Sequence, residues 1–85
     1  MDTVSNKPIA NANTIKKLER EVAEIEAKIT ELERQMALLE GKLADPAVFT
    51  DNHSLQRTNS DYELVKMDLK QKNELWEAKM LEMEG

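Results

Sequence analysis

The sequence predicts an all-α fold, a two-helix antiparallel coiled-coil hairpin with a short Asp-Pro turn. Three observations predict it. Apolar residues recur every three and four positions from Ile15 to Leu43. A second sevenfold column runs from Leu55 to Met83. Between them lies a connection of about eight residues, too short for parallel helices.

The first helix is expected over about residues 14–44. Ile15, Val22, Ile29, Met36 and Leu43 occupy the a positions, and Leu18, Ile25, Leu32 and Leu39 the d positions. A period near 3.5 keeps this stripe on one side, so a partner helix must cover it. Met1 to Ala12 has no such period and carries Pro8. Residues 1–13 are therefore expected to be a flexible lead-in and 14–85 the coiled-coil domain. Asn13 or, preferably, Thr14 is expected to cap the first helix. Glu19, Glu26, Glu33 and Glu40 fill every e position, an acidic column that calls for cations opposite.

Ala44-Asp45-Pro46 ends this helix, because proline removes an amide donor and biases Asp45 away from helical geometry. Asp45 then reads as the cap of a short turn through Phe49, with Pro46 at its first position. Phe49 is expected to plug the end of the coil, and Asp51 to cap the second helix. His53 has no second His or Cys at ligand spacing and reads as a surface residue.

The second helix, about 52–83, carries Leu55, Tyr62, Leu69, Trp76 and Met83 in one column. If facing residues have numbers that sum to 98, these meet Leu43, Met36, Ile29, Val22 and Ile15 in turn. The same register brings Lys66 near Glu33, Lys72 near Glu26 and Lys79 near Glu19. It leaves Leu39, Leu32 and Ile25 poorly covered by Asn59, Lys66 and Asn73. Leu64, Met67, Leu75 and Leu81 fall off the main stripe, as an irregularity or a surface kept for another domain would require.

Composition limits what the chain can do. Charged residues are 34% and aromatic residues 4%, with no cysteine, so disulfides and thiolate metal sites are excluded. No Gly-rich phosphate loop, nucleophile–base set or ligand cluster occurs. The chain is expected to be non-catalytic and to hold no cofactor. No apolar run approaches the roughly 20 residues that span a bilayer, and no signal-peptide segment is evident, so the expectation is a cytoplasmic chain with no membrane partner.

The net charge of −5 argues against a nucleic-acid footprint over the whole surface, but leaves local basic patches. Lys16, Lys17, Arg20 and Lys79 are expected together at the open end of the hairpin. Lys66, Lys70 and Lys72 are expected near Lys28. Either set reads as solvated lysines balanced by glutamates, or as a weak, salt-sensitive phosphate contact to DNA or RNA.

Leu39 to Phe49 (LEGKLADPAVF), then Thr50-Asp51 and a return helix with Leu75-Trp76-Glu77 near its end, resembles the C-terminal coiled-coil domain of ABC-F ATP-binding proteins of the Uup type. Relatives close the first helix with a Leu-x-Asp-Pro-x-x-Tyr turn and carry a late Trp-Glu. Here Leu43, Asp45, Pro46 and Phe49 form the turn, with Phe in place of Tyr, and Trp76-Glu77 matches the late signature. The resemblance covers about residues 14–83. It implies an accessory domain behind two ATP-binding cassettes of an ATPase parent, with ATP bound there and not here. It also implies the ribosome, DNA or the parent's own ATPase domains as partners.

Two other readings compete. One is a tRNA-contacting arm similar to the C-terminal hairpin of valyl-tRNA synthetases. The other is a structural zipper in which two copies of the first helix dimerise. A monomeric hairpin is the expected state, because the second column has a match within the chain; a dimer stays open.

Overall fold

A computed structural model describes residues 12–84. Three helices follow one another: α1 (Ala12–Leu43), α2 (Pro46–Phe49) and α3 (Asn52–Glu84). The expected all-α hairpin is the observed fold: α1 and α3, with 32 and 33 residues, pack against each other, and α2 lies in the connection. At 1.5 Å per residue each long helix is roughly 50 Å in length. None is long and apolar enough to cross a membrane.

α1 begins earlier than its capping signals suggest. Ala12, a strong helix former, is already helical, so Asn13 and Thr14 lie inside the first turn and not before it. The part of the expected lead-in at residues 1–11 lies outside the described residues.

The connection matches its residues closely. Leu43 closes α1, and Asp45, in extended geometry, accepts a hydrogen bond from the Ala47 amide at 3.0 Å. Pro46 takes the first position of α2, where its missing donor costs nothing. The carboxylate of Asp51, just before α3, accepts from the Ser54 hydroxyl at 2.7 Å. Phe49 does not plug the coil; it is 48% exposed. One residue is about 100° of helix, so Val48 turns inward and is half-buried while Phe49 turns out.

The core is a single seam. Leu18, Val22, Ile25, Leu32 and Leu39 are buried on α1, and Thr58 on α3. Leu55, Tyr62, Val65, Leu69, Lys72, Trp76, Lys79 and Met83 are half-buried on α3. The second column of α3 is thus Thr58, Val65, Lys72 and Lys79. The expected column of Asn59, Lys66 and Asn73 is exposed.

The register also differs from the expected one. Tyr62 bonds Glu40, Trp76 bonds Glu26 and Lys79 pairs with Glu21; these numbers add to 102, 102 and 100, not 98. The physical reason is the lean of side chains. Each points toward the N-terminus of its own helix, so in an antiparallel pair residues at the same level lean apart. A side chain therefore meets one placed further along the partner. A contact sum near 101 directs Leu39, Leu32, Ile25 and Leu18 toward Tyr62, Leu69, Trp76 and Met83. It directs Leu43, Met36, Ile29 and Val22 toward Thr58, Val65, Lys72 and Lys79. Large rings and leucine thus cover the d column of α1, which explains why Ile25 and Leu32, expected to be half-covered, are among the best buried residues.

Candidate nucleic-acid interface

The acidic e column of α1 does not meet lysines as expected. Glu26 accepts from the indole N–H of Trp76 at 2.9 Å, and Glu40 from the Tyr62 hydroxyl at 3.1 Å. Both rings bury part of their area in the seam and present a polar tip at its edge, where a carboxylate is the natural acceptor. The bond to Glu40 leads the causes that raise the Tyr62 pKa above its ordinary value. Trp76 therefore bonds Glu26, an acid that the expected register assigned to Lys72.

Among the described residues Lys79 is the one lysine that makes an ion pair across the hairpin, and it reaches Glu21 at 3.1 Å, not Glu19. Glu82, one turn on, approaches it at 3.7 Å. The hydrogen bond to Glu21, then the charges of Glu21 and Glu82, raise the Lys79 pKa. Lys72 turns to Asp68 on its own helix at 2.7 Å, not to Glu26. Both lysines occupy a core column, so their stems lie along the seam and their heads emerge at its edge. The reach of an emerging head selects the nearest acid, and that acid is not on the e column.

The eight candidate cations separate accordingly. Lys28, Lys72 and Lys79 line one groove between α1 and α3, with Glu21, Glu24 and Leu75. Lys66 and Lys70 line the groove on the opposite flank, beside Trp76 and Asn73. The expected cluster of Lys66, Lys70 and Lys72 around Lys28 is therefore split, because the hairpin body stands between its halves. At the open end Lys16, Lys17 and Arg20 are exposed on α1, while Lys79 is withdrawn by Glu21. Among the described residues, Lys16, Lys17, Arg20, Lys28, Lys66 and Lys70 make no ion pair.

Sequence reasoning missed the aromatic–glutamate bonds. The signal was present: Tyr62 and Trp76 are fourteen residues apart, and so are Glu26 and Glu40. Elsewhere, Arg34 holds Glu31 at 2.6 Å within one turn, and this bond lowers the Glu31 pKa. His53 is exposed. Among the described residues no three metal-ligating side chains come together.

A family model described as the ABC transporter C-terminal domain matches residues 15–78. The match runs from the first heptad position of α1, through the Asp-Pro turn, to the turn of α3 that follows Trp76. No curated protein and no solved structure gives a match.

Proposed function

The chain belongs to the ABC transporter C-terminal domain family, an accessory part of ABC proteins, and on that premise we propose that it is the coiled-coil arm of an ABC-F ATP-binding protein of the Uup type. In this reading the arm is non-catalytic and contacts nucleic acid, either DNA or ribosomal RNA, in the cytoplasm. ATP belongs to the cassettes of the parent.

One observation carries the reading. Lys16, Lys17 and Arg20 stand within two turns of α1, exposed and without an ion-pair partner among the described residues, in a chain where acids outnumber bases by five. Elsewhere some cations are engaged by acids: Glu31 holds Arg34, Asp68 holds Lys72, and Glu21 holds Lys79. Three cations left together at one end suit a phosphate backbone better than a protein core. Lys28, Lys66 and Lys70 lie on other flanks and add steering, not contact.

Three phosphate contacts give weak binding with a defined salt response. With a slope near −0.9 per contact, affinity falls about forty-fold between about 50 and 200 mM salt. The test is a mobility-shift titration with duplex DNA and with a ribosomal RNA fragment. Replacing Lys16, Lys17 and Arg20 together by Ala should abolish the shift and leave the helical signal intact. No shift at the lowest salt, or an unchanged shift in the triple variant, would overturn the reading.

A further inference from the structure

α3 carries two apolar faces and spends only one of them on α1. Leu64, Met67, Leu75 and Leu81 are 68%, 61%, 44% and 66% exposed. At 3.6 residues per turn they fall, with Gln71 and Ala78, within about 120° on the side turned away from the seam. α1 has no such second stripe; its outer face is charged or small apart from Leu38, which shares a groove with Leu64. Scattered exposed leucines are ordinary, but these four lie in line over five turns of one helix.

The charges beside the stripe are of one sign toward the C-terminal end. From Asn73 to Glu84 the acids are Glu74, Glu77, Glu82 and Glu84, and Lys79 is the single cation. That cation is engaged by Glu21 in the groove between α1 and α3, which Leu75 borders from the other side. Glu63 adds a further acid beside Leu64. Lys70 lies beside Glu74 and Glu77, and Lys42 borders the groove of Leu38 and Leu64, yet Glu63, Glu74 and Glu77 make no ion pair among the described residues.

We propose that the outer face of α3, centred on Leu64, Met67, Leu75 and Leu81, docks a basic amphipathic helix of a protein partner. The apolar side of such a helix covers the four residues, and its lysines or arginines meet Glu63, Glu74 and Glu77. Charge decides between occupants. A second copy of this chain would bring like acids together, and an anionic lipid surface would be repelled by the same residues. The face is distinct from Lys16, Lys17 and Arg20, so this proposal stands independently of phosphate binding.

The experiment is an amide-shift titration of the 85-residue chain with a synthetic Leu/Lys amphipathic helix. A Leu/Glu helix of the same pattern and a scrambled Leu/Lys peptide serve as comparisons. The expected result is shifts confined to the outer face of α3 with the Leu/Lys helix alone. Met67→Glu and Leu75→Glu should each weaken binding at least tenfold without lowering the melting temperature, because both side chains are exposed. Glu74→Lys with Glu77→Lys should weaken it as well. Absence of binding, equal binding of the scrambled peptide, dimerisation through this face, or binding to anionic vesicles would each overturn the proposal.

Discussion

Trp76 and Glu26, fifty positions apart in sequence, are joined across the hairpin by an indole N–H donating to a carboxylate at 2.9 Å. Two heptads nearer the turn, Tyr62 and Glu40 make the equivalent bond at 3.1 Å. Both pairs have the same register, so a slip of α3 by even one turn breaks both together. The bonds add direction to a seam whose apolar contacts are non-directional.

The Trp76–Glu26 bond is charge-assisted but lies at the wet edge of the seam, so its net contribution should be about 1 kcal/mol. A double-mutant cycle with Glu26→Ala and Trp76→Phe, read by urea unfolding, should recover a coupling of about that size. Additive losses would mean that the bond is not formed in solution.

Much of the fold was legible because it is written in period and punctuation. The three-and-four spacing from Ile15 to Leu43 determines a helix with one apolar face, and Asp45-Pro46 can do little but stop it. The register was harder. Matching the column of Leu55, Tyr62, Leu69, Trp76 and Met83 to that of Ile15 through Leu43 satisfies hydrophobicity but ignores the lean of side chains. That lean moves the contacts of Tyr62 and Trp76 by about one turn and that of Lys79 by about half a turn. Lys72 and Lys79 were misplaced for a related reason: a lysine in a core column looks like an error until its stem is counted as apolar. For the candidate interface, residue type alone identified the cations. It could not reveal which of them Asp68 and Glu21 would engage.

Lys72 sits in a core column, half-buried, with its ammonium drawn to Asp68 at 2.7 Å. Lys72→Leu exchanges an i,i+4 pair worth about 0.3–0.5 kcal/mol for apolar burial worth more. The variant should gain about 1 kcal/mol in stability. The cost should appear as association, because a polar group in a seam restricts register and partner number. Sedimentation over a concentration series should show a monomeric parent and a variant with a larger tendency to self-associate. A less stable variant would mean that the lysine stem already fills its place.

The turn can be tested separately from the seam. Asp45→Ala removes the acceptor for the Ala47 amide and should lower stability by about 1 kcal/mol, whereas Asp45→Asn, which retains an acceptor, should lose much less. Thermal melting followed by helical signal distinguishes them. Equal losses in the two variants would assign the effect to charge, not to the cap.

Tyr62 and Lys79 should each contribute a small stabilisation that is lost at alkaline pH. The pKa of Tyr62 is raised by its bond to Glu40, and that of Lys79 by its bond to Glu21. In each case the folded chain holds the proton more tightly than the unfolded one. The resulting stabilisation is complete below the unfolded values, about 10 for tyrosine and 10.4 for lysine, and is lost as pH rises through the raised folded values. Glu31 acts in the opposite sense: its lowered pKa stabilises the fold above the usual carboxylate range and stops doing so as pH falls through the folded value. The Tyr62 hydroxyl and the Lys79 ammonium emerge at the wet edge of the seam and Glu31 is exposed, so both slopes should be shallow. The chain has one tyrosine, which makes the alkaline arm directly readable by tyrosinate absorbance. The midpoint should lie higher in the native protein than in urea, and Glu40→Ala should bring the two together. Coincident midpoints in the unaltered chain would show that the Tyr62–Glu40 bond does not bias the proton.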